Sequence, residues 1–257
     1  MRAQHHTKLR GTSNYCVFLF LLMIFFTLSV PVYADPVPIE NVEDLQNMQN
    51  DLEGEYFLAN NIDASETRNW NDGAGFEPIG FDWDNHFNGT LDGRGHVISD
   101  LYMNWDDGRR VGLSGAIGEA TIENVGLVDV DIRGEHVVGS LAAHSFRSSI
   151  TNCNATGIVN GGGTSGGLVG FLPLSAITDS YAAVDVFGSS SIGGLVGYAS
   201  GLIINCHATG TVEGRGNNIG GLVGRLNESG IRASFATGSV TGSFSVGGLI
   251  GENDDSR

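Results

Sequence analysis

Short apolar segments separated by glycines alternate with polar turns over the second half of the chain. The phrase Gly-Gly-Leu-Val-Gly, or a close variant, recurs with spacings of 28, 27, 27, 27 and 27 residues. Its central leucines are Leu113, Leu141, Leu168, Leu195, Leu222 and Leu249. A second phrase, clearest at residues 150–157 and 203–210, keeps the same period. Two phrases that share one period predict a repeat architecture.

The composition of each repeat predicts extended rather than helical structure. No repeat contains a convincing ten-residue window with apolar residues at helical spacing, and each holds three short segments rich in Val, Ile and Thr. We therefore expect an all-β fold, a parallel β-solenoid (right-handed β-helix) with about 27 residues per coil and three faces. Coils would stack about 4.8 Å apart. The glycines would turn the backbone between faces by adopting positive φ.

Residues 35–110 lack the regular repeat and are expected to form an N-terminal cap and the first coil. Asn41 predicts the N-cap of a short helix, because Leu45 and Met48 follow on one face. A solenoid needs such an atypical unit to cover its end. Residues 111–257 form the repeat region, which we expect to finish on an open strand edge that further chain or a partner continues.

The first 34 residues have the pattern of a secretory signal peptide. Three basic residues precede an apolar run at residues 17–30, and Ala34 supplies the small residue that signal peptidase requires. A membrane anchor is the alternative, but this run of 14 residues is short for a span of about 20. We therefore expect cleavage near Ala34, no membrane insertion afterwards, and a secreted or cell-surface protein.

Charge narrows the range of partners. Without residues 1–34, the chain has 29 acidic residues against ten arginines, a net charge of −19. Such a surface repels phosphate backbones and anionic lipids, so it excludes nucleic acid and anionic membranes and disfavours acidic polysaccharides. The partners that remain are a glycan or another surface ligand, or further repeats and domains of the same chain.

The cysteines and alanines provide a test of the coil register. Cys153 and Cys206 occupy the same position two coils apart. Two coils correspond to roughly 9.6 Å, beyond the ~7 Å between Cα atoms that a disulfide allows. The sequence therefore predicts two free thiols in a stack of small residues. A parallel row of alanines predicts a narrow corner of the coil: Ala155, Ala182, Ala208 and Ala236.

The repeated phrases resemble the GLUG motif, which is named for its Gly-Leu-any-Gly core. This motif occurs in tandem in large bacterial surface and secreted proteins, including the N-terminal regions of some IgA-cleaving metallopeptidases. Residues 78–80 and 87–96 look like the segment that often precedes such repeats, so the resemblance covers roughly residues 39–251. The copies around Leu113 and Leu141 depart from the motif, so irregular first coils are expected. The resemblance implies adhesion, surface display or a stalk, and it supplies no catalytic residues.

Motifs that could indicate catalysis or metal binding have simpler interpretations. Ser165 lies in a G-x-S-x-G pattern, but a strand phrase follows where a nucleophile elbow needs a helix. No H-E-x-x-H motif occurs, and the seven histidines do not pair at zinc-ligand spacing. Possible metal ligands cluster in one loop at Asp82, Asp84, His86 and Asp92. This loop lacks the glutamate of an EF-hand, so a solvated turn is favoured over a calcium site. We assign no catalytic, cofactor-binding or metal-binding residues.

Aromatic residues offer two possible surfaces for a ligand. All three tryptophans, Trp70, Trp83 and Trp105, precede the repeats. Their rings could stack on sugars, but apolar cover for the end of the solenoid is the favoured interpretation. Along the coils, one row of side chains is expected to lean outward, and it too could either bind a ligand or serve packing: Asn154, Tyr181, His207 and Phe235.

An enzyme is an alternative to be weighed, because right-handed β-helices include polysaccharide lyases and hydrolases. Their sites need paired carboxylates, or a basic residue with calcium, on one coil face. The candidate pairs here have no companion cluster on an adjacent coil: Asp106 with Asp107, Asp129 with Asp131, and Asp254 with Asp255. We therefore expect a non-enzymatic scaffold for surface display, adhesion or spacing. A carbohydrate-binding or carbohydrate-active module is the alternative.

Overall fold

Parallel strand pairing runs through the chain from Val37 to Asn253 in the computed structural model, which describes residues 35–108 and 110–254. The predicted signal peptide at residues 1–34 lies outside the described residues. The strands form three sheets of 12, 10 and 5 strands. These three sheets are the three faces of the coils.

The strands of each sheet alternate along the chain. The first sheet contains β1 (Val37–Ile39), β2 (Glu55–Leu58), β4 (Thr90–Asp92), β7 (Ser114–Gly118), β8 (Thr121–Glu123), β11 (Ala142–Phe146), β12 (Ser149–Thr151), β15 (Val169–Thr178), β18 (Val196–Ile204), β22 (Val223–Leu226), β23 (Gly230–Arg232) and β27 (Ile250–Asn253). The second contains β3 (Ile62–Asp63), β5 (Val97–Ser99), β6 (Tyr102–Trp105), β9 (Gly126–Gly134), β13 (Asn154–Gly161), β16 (Tyr181–Gly188), β19 (His207–Ala208), β20 (Val212–Gly214), β24 (Phe235–Ala236) and β25 (Val240–Thr241). The third contains β10 (Val137–Gly139), β14 (Thr164–Gly166), β17 (Ile192–Gly193), β21 (Ile219–Gly220) and β26 (Val246–Gly247).

Neighbouring coils pair one repeat apart, which confirms the predicted parallel β-solenoid. Ile150 pairs with Ile177, and Val159 pairs with Val186, each 27 residues further along the chain. The core fills the interior of the coils, and the leucines of five successive phrases are at most 2% exposed: Leu113, Leu141, Leu168, Leu195 and Leu222. Leu249, in the last phrase, is 37% exposed.

The N-terminal part has a helix and longer coils. Helix α1 (Val42–Asn47) begins as predicted, because the side chain of Asn41 accepts a hydrogen bond from the backbone N–H of Asp44 at 2.9 Å. Tyr56 pairs with Leu91, 35 residues on, so this coil is longer than the repeats. Short 3₁₀ helices lie at Met48–Asn50, Ser65–Asn69 and Asn71–Gly73.

The paired glycines of the repeated phrase serve close packing between coils. A Cβ atom on Gly167 would collide with the carbonyl oxygen of Gly194 and lie 3.0 Å from the Cβ of Ala182. Their φ angles are not in the left-handed region, so the expectation that these glycines turn the backbone by positive φ was wrong. This agrees with the narrow corner predicted from the alanine row, because added Cβ atoms on Gly167, Gly194 and Gly221 would lie 2.9–3.0 Å from the Cβ atoms of Ala182, Ala208 and Ala236.

Asparagine or aspartate makes the left-handed turn between the first and second sheets in four successive coils. Asn124, Asn152, Asp179 and Asn205 have φ of 57°, 52°, 51° and 54°. These residue types tolerate that conformation better than other non-glycine residues. The turns are also bonded along the stack, because Asn152 Nδ2 donates to Asn124 Oδ1 at 2.8 Å. This explains the asparagine in the second repeated phrase.

Both cysteines of the solenoid are free and buried, as predicted. The backbone N–H of Cys153 donates to Ser180 Oγ at 3.0 Å, which places the serine of the next coil between the two thiols. Burial raises the pKa of Cys153 to about 12 and also raises the pKa of Cys206. Both thiols are therefore protonated and unreactive at neutral pH.

Native protein is expected to resist alkylation at Cys153 and Cys206, whereas denatured, unreduced protein should be alkylated at both. Peptide mapping after iodoacetamide treatment distinguishes the two sites from Cys16. A disulfide-linked peptide containing both residues would contradict the two-coil separation, and rapid labelling of the native protein would contradict their burial.

Candidate functional site

A row of aromatic rings crosses successive coils of the first sheet. His144 pairs with Phe171, and Phe171 pairs with Tyr198 on the next coil. The loop residue Trp83 packs against His144 with ring centroids 4.2 Å apart, and it also contacts Phe146 at 5.9 Å. We name these five residues the aromatic strip.

The rings of the aromatic strip meet edge to face. The interplanar angle is 80° between Trp83 and His144, 90° between His144 and Phe171, and 65° between Phe171 and Tyr198. Edge-to-face contacts place the positive edge of one ring against the negative face of another. Trp83 remains 42% exposed, so part of its ring surface is available to a ligand.

The predicted row on the second sheet has a different geometry. Tyr181, His207 and Phe235 form a stacked row, with centroids 4.9 and 5.0 Å apart and interplanar angles of 9° and 5°. Asn154 continues it in register. The sequence placed these residues correctly in one row, in which neighbouring rings cover one another's faces and Phe235, at the end, is 51% exposed.

A shallow depression of about 340 Å³ lies on the aromatic strip. It is lined by Trp83, His144, Phe146, Phe171 and Pro173. The lining is almost entirely carbon surface, since His144 is only 5% exposed and lies beneath its neighbours. An apolar hollow of this kind is able to hold the flat face of a small ring.

His144 is the polar group in this apolar surrounding. Its Nδ1 atom is buried and has no hydrogen-bond partner among the described residues. Burial, with a smaller contribution from the Arg110 charge, lowers the pKa of His144 to about 3. The imidazole is therefore neutral at physiological pH.

Arginine side chains border the aromatic strip. The guanidinium of Arg110 lies 5.4 Å from the ring centroid of Trp83, and that of Arg147 lies 4.8 Å from Phe146. Arg147 also lies 3.7 Å from Glu119. On the far side, Arg225 lies 5.7 Å from the Tyr198 ring, and its Nε donates to Asp254 Oδ2 at 2.6 Å. The strip thus has a charged rim in which carboxylates balance part of the positive charge.

The tryptophans divide into two groups. Trp70 stacks on Phe76 at 6.3 Å, and Trp105 Nε1 donates to the carbonyl oxygen of Phe76 at 2.8 Å. Both are partly buried against the core, and their role as cover for the end of the solenoid stays a prediction. For Trp83 that interpretation was wrong, because its ring lies exposed on the aromatic strip.

The acidic loop is organised as a turn. Asp82 Oδ1 accepts the backbone N–H groups of Asp84 and Asn85 at 2.9 and 2.8 Å. Asp92 is separately engaged, with its Oδ1 accepting from Asn124 Nδ2 at 2.9 Å. Within residues 35–108 and 110–254, no group of three potential ligands could hold a metal ion.

The residues considered as catalytic candidates have structural roles in the coils. Ser165 is fully buried in β14 and pairs with Ile192 of the next coil. Asp131 contacts Arg133 at 3.1 Å, whereas Asp129 lies in a left-handed turn with φ of 53°. Asp255 lies outside the described residues. Those that lie within the described residues are not assembled into one site.

The aromatic strip was missed by the sequence analysis. Three of its coil residues lie three positions after the central leucine, where the repeats carry His144, Phe171, Tyr198, Arg225 and Glu252. The change of residue type hides the row, although Phe171 and Tyr198 do keep the 27-residue spacing. Trp83 comes from a loop outside the repeats, and its spacing gives no indication of this contact.

No helix in the described part of the chain is both long enough and apolar enough to cross a membrane.

The family model of the GLUG motif matches residues 134–160 and 188–213. The resemblance to GLUG-motif repeat proteins is therefore confirmed. The two matched segments lie in the regular repeats, where the period and the coil register agree.

Two curated proteins are similar to parts of this chain. Halomucin of Haloquadratum walsbyi is 40% identical over 141 residues, which are 52% of this chain and 2% of halomucin. A provisionally assigned Gly-rich membrane protein of Evansella cellulosilytica is 35% identical over 118 residues, which are 44% of this chain and 13% of that protein. The matched region therefore spans only a small part of either relative.

A solved structure shares the fold. The crystal structure of a provisionally assigned immunoglobulin A1 protease from Bacteroides ovatus superimposes with a TM-score of 0.73 at 24% identity. The match covers 83% of this chain and 70% of that chain.

Proposed function

We propose that this GLUG-motif repeat protein is exported and serves, without catalysis of its own, as a scaffold for surface display, adhesion or spacing. The observation that carries this proposal is that the side chains considered for catalysis or metal binding make structural contacts instead. Ser165 is buried in a strand, Asp82 closes a turn, and Asp131 binds arginine. With these side chains engaged in structural contacts, the feature that the chain offers to a partner is the repeated surface of its coils.

The N-terminal sequence and the similar proteins support a location outside the cytoplasm. Residues 1–34 have the pattern of a signal peptide, and removing them leaves a charge of −19 that favours solubility. The similarity to halomucin and to a Gly-rich membrane protein is consistent with a surface location for this chain. The solenoid supplies a packed repeat that could hold a ligand-binding surface or a further domain away from a cell.

Export is expected to yield a product that begins near Asp35 in the medium or on the cell surface. Cell fractionation followed by intact-mass measurement tests this. Leu22→Arg, which places a charge in the apolar run, should retain the chain inside the cell, whereas Lys8→Arg should leave export unchanged. A cytoplasmic product that begins at Met1 would contradict the proposal. A mass above that of residues 35–257 would identify this chain as the stalk of a longer protein.

The alternative of a carbohydrate-active enzyme makes a different prediction. A groove of about 370 Å³ between coils contains Asp106, Arg133 and Glu213, so charged groups do occur near one another there. Calcium-dependent cleavage of a glycan, abolished by Asp106→Ala, would favour the enzyme over the scaffold.

A further inference from the structure

We propose that the aromatic strip is a binding site for a neutral pyranose chain. The sugar ring would lie in the depression between Trp83 and Phe171, above His144. This inference goes beyond the scaffold role, because it gives the solenoid a ligand class and a defined site.

Ring orientation distinguishes the aromatic strip from the stacked row. Tyr181 and His207 are 9° from parallel and 4.9 Å apart, so each covers a face of the other. Trp83 instead meets His144 at 80° and keeps 42% of its surface exposed. The axial C–H groups of a pyranose pack on an open aromatic face. The depression on the aromatic strip combines such an exposed ring with an apolar lining.

His144 supplies the second observation. Its Nδ1 is buried without a hydrogen-bond partner among the described residues, which costs free energy. Because the imidazole is neutral, Nδ1 can either donate to a sugar hydroxyl or accept from one, according to the tautomer. His144 lines the depression, and Trp83 meets it with ring centroids 4.2 Å apart, so a sugar seated there lies beside the imidazole.

Charge selects a neutral glycan over an acidic one. The chain that follows residue 34 carries −19, which opposes the approach of a polyanion. Of the three arginines that border the strip, Arg147 and Arg225 contact carboxylates, at Glu119 and Asp254. Arginine groups of this kind can still donate single hydrogen bonds to sugar hydroxyls at the rim. The combination of an apolar floor and a polar rim fits an uncharged sugar.

The continuation of the aromatic strip beyond the depression favours a short chain of sugars over a single unit. The depression of about 340 Å³ lies at the lower end of the range of roughly 300–1,000 Å³ that is typical of ligand sites. The strip continues to Tyr198, whose centroid lies 4.8 Å from that of Phe171 on the preceding coil. A glycan that runs along the coil axis would therefore contact more than one coil.

Titration calorimetry on the chain that begins at Asp35 tests the proposal with defined probes. Cellohexaose and β-1,4-mannohexaose are the neutral chains, glucose and mannose are their single units, and hexagalacturonate is the acidic chain. We expect saturable binding of at least one neutral hexasaccharide, tighter than binding of its monosaccharide. Trp83→Ala and the volume-conserving Phe171→Leu should each weaken it at least about tenfold.

Tyr181→Ala is the matched control, because it removes an aromatic ring of similar exposure from the stacked row. It should change the affinity by less than about twofold. The melting temperature of Trp83→Ala should stay near that of the parent, since the ring is partly exposed. Absence of binding to both neutral hexasaccharides, binding of the acidic probe alone, or unchanged affinity in Trp83→Ala would each overturn the proposal. None of these results bears on export, which is measured separately.

Discussion

Leu195→Asp is expected to abolish cooperative folding of the central coils. Leu195 is fully buried, and truncating a buried leucine alone costs about 2–5 kcal/mol of unfolding free energy. An unpaired carboxylate in the same space adds several kcal/mol more. The sum approaches the total stability of an ordinary domain, about 5–15 kcal/mol. Thermal unfolding followed by circular dichroism should show a loss of the transition or a large fall in its midpoint.

The matched control is the same substitution in the last phrase. Leu249 occupies the equivalent position but is 37% exposed, so Leu249→Asp leaves its carboxylate access to water. We expect a clearly smaller effect on the melting temperature. An unchanged midpoint in Leu195→Asp would mean that the leucine row faces water, which would reverse the assignment of inward and outward positions.

The period was sufficient to predict the stacking of the coils, because a fixed repeat length brings equivalent residues into register. Ile150 meets Ile177, and Cys153 meets Ser180, as the spacing requires. The burial of the leucines also follows, because an apolar residue repeated once per coil forms a continuous core. Local chemistry was harder to assign. The paired glycines look like turn residues in sequence, but the structure uses them where coils approach closely.

The aromatic strip shows why the candidate site could not be predicted in full. Phe171 and Tyr198 are one repeat apart in the sequence, so their pairing on neighbouring coils could be predicted. The exposed ring, Trp83, belongs to a loop whose path depends on tertiary packing. Ring orientation adds a second unknown, because a shared register permits either stacked or edge-to-face geometry. The difference between the strip and the stacked row is therefore a property of the packed structure.

Gly194→Ala is expected to destabilise the solenoid through a single added methyl group. That Cβ atom would collide with the carbonyl oxygen of Gly221 and lie 2.9 Å from the Cβ of Ala208. The first obstacle is backbone that is fixed by strand pairing, so the coils would have to separate. Overpacking of this kind costs about 1–3 kcal/mol, which corresponds to a fall in melting temperature of roughly 2 to 12 °C for a domain of this size.

Gly248→Ala gives a control at the equivalent position of the last phrase, where no atom lies within 4 Å of the added Cβ. Its φ is outside the left-handed region, so alanine is compatible with the backbone and should be neutral or stabilising by about 0.4–1 kcal/mol through the unfolded chain. Equal melting temperatures for the two variants would show that contact between coils does not require glycine. A fall confined to Gly194→Ala would establish that the paired glycines set the closest approach of the backbone, and with it the narrow interior of the coil.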